Sequence, residues 1–158
     1  KGKAYAQMID AAEKQGTQIV SAAQNMTFTL GRARVTFIGP ARTQHTDSRD
    51  DGLTLRIDYG QTSVVVTGCI TSNGEKEIVS SGAAAACDAL IVSRGGTEAA
   101  TCAEWVEAAK PKVALITGKN PANSVRIRLQ KYGATVYAAK ENGVMALYSD
   151  GQKITVQP

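Results

Sequence analysis

The stretch Asp88-Ala-Leu-Ile-Val-Ser-Arg-Gly-Gly-Thr97 sets an apolar run, Ala89 to Val92, directly ahead of a glycine pair, and helical spacing follows near Glu98 to Ala109. A short apolar run closed by turn residues and followed by a helical period is the signature of a strand feeding a crossover helix. The same order repeats on both sides. A helix near Glu75 to Ser80 precedes it, and strand Lys112 to Ile116 and helix Asn123 to Tyr132 come after. Strands alternating with helices predict a layered α/β fold, a mixed sheet covered by outer helices.

Further upstream the period changes. Leu53 to Tyr59 and Ser63 to Thr67 alternate about Gly60-Gln61, and Met26 to Leu30 and Ala33 to Ile38 alternate about Gly31-Arg32, which predicts two hairpins. Between them residues 41–52 (ARTQHTDSRDDG) are wholly loop-like and hold the chain's one histidine, His45. Tyr5, Met8, Ile9 and Ala12 fall on one face of an opening helix that stops at Gly16. At the other end, Gly133 closes a helix, and Thr135 to Tyr137, Val144 to Tyr148 and Lys153 to Val156 read as a closing antiparallel meander. With no internal repeat or low-complexity linker, residues 1–158 read as a single domain or half-domain. Within it, residues 1–40 form a helix plus hairpin.

At 158 residues and 43% hydrophobic, the chain is long and apolar enough for one substantial core. Two phenylalanines, five tyrosines and one tryptophan leave that core to Val, Ile, Leu and Ala. The net charge of +4 is too small to name a partner. Basic residues gather at Arg32 and Arg34 and at Lys119, Arg126, Arg128 and Lys131, but no aromatics are interleaved to stack on bases, so a solvated face is expected there. With three cysteines, no C-x-x-C pair and a single histidine, no structural zinc site of the usual kind is expected, and at least one thiol is left unpaired whether or not the other two form a disulfide. Cys87 and Cys102 are expected to be buried thiols. No run approaches the roughly 20 apolar residues of a membrane span, and the start lacks both an initiator Met and a targeting segment, so a processed product or a fragment of a longer protein is expected.

From Leu53 to Val156 the order of motifs resembles the metallo-β-lactamase superfamily, in particular the C-terminal half of the extracytoplasmic domain of ComEC/Rec2-type competence (DNA-uptake) proteins. Asp51-Gly-Leu-Thr-Leu-Arg-Ile-Asp-Tyr-Gly60 followed by Ser63 to Cys69 is similar to the family's strand, Tyr-Gly turn and strand ending in Thr-Gly-Asp, with Cys69 in place of the acid. Asp88 to Thr97 resembles Asp-Val-Leu-Lys-Val-Pro-His-His-Gly-Ser, with Arg94 and Gly95 where the histidines stand. Pro111-Lys-Val-Ala114, Asn120-Pro-Ala122 and Gly133-Ala-Thr-Val-Tyr137 complete the likeness, and Asn120 stands for the last histidine ligand. The family's N-terminal His-x-His-x-Asp-His loop has no counterpart here.

The resemblance implies half of an αβ/βα sandwich whose metal positions, Cys69, Arg94 and Asn120, are degenerate. A metal pair that activates water on a phosphodiester needs several imidazoles and a bridging carboxylate. This chain is therefore expected to hold no cofactor of its own, with zinc or manganese entering only if the missing half supplies ligands. Arg94, Gly95, Gly96 and Thr97 can present a guanidinium and backbone N–H groups to an anion, against the plainer reading of an inherited tight turn. His45, Asp47, Asp50 and Asp51 do not match the spacing of a calcium loop and read as ordinary loop polarity, and Cys69 reads as a strand-end residue rather than a reactive thiol. The expected function is a non-catalytic structural or anion- or nucleic-acid-binding module. The alternative is one part of a metal-dependent phosphodiesterase or nuclease whose His-rich half lies outside the chain. Partners implied are that missing N-terminal half, a second copy or another chain over the bare sheet face, and DNA. The implied location is extracytoplasmic.

Overall fold

A computed structural model describes residues 2–157. Nine strands and five α-helices follow one another in the order α1 (Lys3–Lys14), β1 (Thr27–Leu30), β2 (Ala33–Gly39), β3 (Thr54–Tyr59), β4 (Thr62–Val66), α2 (Ser72–Ser80), β5 (Ala89–Ile91), α3 (Ala103–Ala109), β6 (Val113–Ile116), α4 (Asn123–Lys131), β7 (Thr135–Ala138), α5 (Ala139–Asn142), β8 (Ala146–Ser149) and β9 (Ile154–Gln157). Strands β1 to β7 make one sheet in sequence order, antiparallel from β1 to β4 and parallel from β4 to β7. The parallel half follows from its connections, since each passes through a helix, α2, α3 or α4, long enough to return the chain to the starting end of the next strand. The expected layered α/β fold, with a mixed sheet and flanking helices, is present.

The core lies on one face of this sheet. Val65, Leu90, Ala114 and Ile116 pack with Ile78 of α2, Trp105 and Val106 of α3, and Val125 and Leu129 of α4, all fully or almost fully buried. On the other face, register carries an apolar row from strand to strand: Phe37, Leu55, Val66, Ile91, Leu115 and Tyr137. Leu115 in that row is buried and the other five are half-buried. Helix α1 buries none of its residues, so its apolar stripe is unspent within the chain.

The C-terminal strands depart from the expected meander. Thr135 to Tyr137 does not begin a meander: β7 joins the main sheet parallel to β6, a short helix rather than a tight turn follows it, and only β8 and β9 pair antiparallel, as a separate two-stranded sheet. The returning α4 delivers β7 to the edge beside β6, where its backbone finds partners that β8 cannot reach. The helix expected from Glu98 starts only at Ala103, because Thr101 takes a positive φ of 59° and the chain must turn before α3 can begin. The β8–β9 hairpin is tied to the β3–β4 turn, where Gln61 N–H donates to Gly151 O at 2.6 Å and the hydroxyls of Thr62 and Ser149 lie 2.6 Å apart.

Candidate functional site at the strand ends

Because β4, β5 and β6 are parallel, the loops that leave them emerge at one end of the sheet, and Cys69, Arg94 and Asn120 each stand three or four residues past a strand. Arg94 N–H donates to Gly68 O at 3.1 Å, which joins the first loop to the second, and Ala122 N–H donates to Gly96 O at 2.8 Å, which joins the second to the third. The 94–97 turn is wedged tightly between its neighbours. A Cβ at Gly95 would stand 2.7 Å from Gly118 Cα, and one at Gly96 2.8 Å from Ile116 Cγ2, so the glycines give the close approach that the packing requires. Arg94 itself holds a left-handed backbone, φ 51° and ψ 28°. Its Nε donates to Thr97 Oγ1 at 3.3 Å while Nη1 is buried without a partner. Cys69 and Asn120 are exposed, and Thr97 is half-buried.

The metal pair implied by the resemblance does not fit these residues. A thiol, a guanidinium and a neutral amide are not a ligand set for a dinuclear hydrolase, and among the described residues no three His, Cys, Asp or Glu side chains are arranged so that they could hold an ion.

The segment from the end of β2 to the start of β3 reaches the same end of the sheet, since Gly39 pairs with Thr54 and Leu55 pairs with Val66. It is far more ordered than its composition suggests. Asp47 accepts from Arg49 N–H at 3.0 Å and opens a 3-10 turn, Ser48–Asp51. Asp50 is buried, with its carboxylate taking Thr71 N–H at 2.7 Å and Thr71 Oγ1–H at 2.9 Å just before α2. Gly74 makes room for it, because a Cβ there would lie 2.7 Å from Asp50 Oδ1. His45, expected as ordinary loop polarity, is instead enclosed between two elements: its side chain is 3% exposed, with Nδ1 2.8 Å from Asp51 Oδ1 and Nε2 2.7 Å from Glu77 Oε2. Glu77 in turn takes a forked pair from Arg42, Nε at 3.0 Å and Nη2 at 2.8 Å.

The hydrogen bond to Asp51, helped by Glu77 and opposed by burial and by Arg42, holds the His45 pKa above its ordinary value. The Arg42 and His45 contacts pull Glu77 down to about 2. A cleft of about 710 Å³ opens between this segment and α2, lined among others by Arg42, His45, Asp47, Asp50, Lys76 and Glu77. Every charged group in that lining already has a partner, Lys76 through Glu104 and Asp47 through Arg49. Asp47 also feels a weak electrostatic pull from Arg94. Nothing in the sequence announced this network, because Glu77 is 32 residues from His45 and sits on a helix.

No protein-family model matches the chain. It is 24% identical over 144 residues to ComE operon protein 3 of Bacillus subtilis (strain 168), a match that covers 87% of this chain and 19% of that protein. The chain therefore spans about a fifth of the length of this relative. Among the described residues, no helix is long and apolar enough to cross a membrane.

Proposed function

We propose that the chain is a non-catalytic module of the metallo-β-lactamase type within a longer competence-related, extracytoplasmic protein, with a structural role and an anion- or nucleic-acid-binding turn at Arg94, Gly95, Gly96 and Thr97. The observation that supports this reading is the position of Cys69, Arg94 and Asn120 in the loops that leave three adjacent parallel strands at one end of the sheet. In open α/β sheets ligands collect at that end, and a fixed positive charge there repels a metal ion while attracting a phosphate. The similarity to ComE operon protein 3 supports the competence link, and the 19% coverage of that protein supports a larger parent. The row from Phe37 to Tyr137 gives the parent's missing N-terminal half, or a second copy, an apolar face to cover.

The test combines metal analysis with DNA retention. After dialysis against a chelator the chain should keep well under about one equivalent of zinc or manganese. It should also retain single- or double-stranded DNA weakly, in a manner that weakens with salt and weakens further in Arg94→Ala. A tightly held equivalent of metal overturns the reading in favour of a metal-dependent hydrolase completed by a His-rich half. Retention that ignores both salt and Arg94 removes the binding role.

A further inference from the structure

The imidazole of His45 is closed between two carboxylates that belong to different elements, Asp51 in the 3-10 turn and Glu77 on α2. A carboxylate oxygen at 2.8 Å from Nδ1 and another at 2.7 Å from Nε2 each require an N–H donor. Neutral imidazole has only one donor, whereas imidazolium has two, so this geometry is satisfied by the protonated ring alone. With the ring neutral, one nitrogen lone pair faces a carboxylate lone pair at an imidazole that is itself only 3% exposed. Such a buried, unsatisfied contact is costly.

We propose that residues 42–47 form a proton-operated latch, docked against α2 while His45 carries both ring protons and released when it loses one. The charged groups that face His45 are Asp51 and Glu77, which favour the docked form, and Arg42, which opposes the ring charge while neutralising Glu77. Lys76 lines the same cleft and is engaged by Glu104. Release has a natural boundary. Asp50 is anchored to Thr71 by two hydrogen bonds that do not involve the histidine, so the segment hinges there and β3 keeps its place.

The direction of the pH response follows from linkage. A histidine whose folded pKa is raised contributes stability that is fully present below its unfolded value of about 6.5 and is lost as pH rises through the folded value. Between those two pKa values the closed-to-open ratio should fall as pH rises, by at most about tenfold per pH unit.

The test is nuclear magnetic resonance on the 158-residue chain between pH 5.5 and 9. Ring nitrogen shifts should report both nitrogens protonated at pH 6. Amide exchange at residues 42–47, corrected for the base-catalysed intrinsic rate, should rise along the titration of His45, while the Thr71 amide stays protected. His45→Gln cannot supply two opposed donors, so its 42–47 amides should exchange freely at every pH, and Glu77→Gln should shift the midpoint downward. A neutral ring at pH 6 overturns the proposal. So does exchange at 42–47 that is flat with pH in the parent chain, or a pH step that survives in His45→Gln.

Discussion

Glu75 is fully buried in α2, and its carboxylate takes Thr101 N–H at 2.6 Å and Cys102 N–H at 2.8 Å where the chain enters α3. Two oxygens that both accept suit the ionised form, yet burial pushes its pKa from 4.5 up to about 7, against the pull of those N–H groups and of Arg128. An acid with a raised folded pKa binds more protons folded than unfolded between those values. Stability attributable to Glu75 is therefore highest below pH 4.5, falls as pH rises through the window, and is at its minimum above about 7. At about 1.4 kcal/mol per unit the fall is on the order of 3 kcal/mol. Replacing it, Glu75→Gln removes the titration but turns an amide NH₂ toward one of the two backbone donors, which costs roughly 1–3 kcal/mol. Urea unfolding of both chains at pH 5, 6, 7 and 8 should find Glu75→Gln the less stable at pH 5, with the gap closing or reversing by pH 8. The opposing depression of Asp47 and Glu77, each to about 2, acts below this range and is common to both chains. A gap that is constant across the four pH values refutes this account of Glu75.

Gly74→Ala would drive a methyl group into Asp50, 2.7 Å from Oδ1, and loosen its hold on Thr71. A loss of roughly 1–3 kcal/mol is expected in denaturant unfolding, partly recovered by Asp50→Asn, whose neutral amide is easier to move. Thiol titration should modify Cys69 quickly in the native chain and leave Cys87 and Cys102 until denaturant is added. The first is exposed, and burial pushes the other two to about 12.

Much of the fold was legible because it is local. Alternation of apolar and polar residues about Gly31-Arg32 and Gly60-Gln61 places both hairpins within a residue or two, and the run from Ala89 with its Gly95-Gly96 stop marks a strand and its turn. The strand-end positions of Cys69, Arg94 and Asn120 were also readable, since each follows a recognisable apolar run. Their placement at one end of the sheet depended on β4, β5 and β6 sharing a direction, which crossover helices enforce.

What composition could not disclose is which polar residues meet. Residues 41–52 carry the composition of any solvated loop, and His45 becomes a buried, doubly bonded ring only because α2 brings Glu77 across to it. Glu75 and Glu77 are two residues apart on one helix, yet one is sealed against the start of α3 and the other faces the cleft. Helical periodicity fixes that the two point apart, but not what each will find. The placement of β7 was likewise decided by tertiary pairing: Thr135 to Ala138 suits an antiparallel meander or a parallel edge equally well in its own pattern. Periods, turns and breaks are properties of neighbouring residues and follow from local order alone. Partners 21 to 35 residues apart were settled by packing, because hydrogen bonds and charge pairs between elements exist only once hydrophobic burial has brought those elements together.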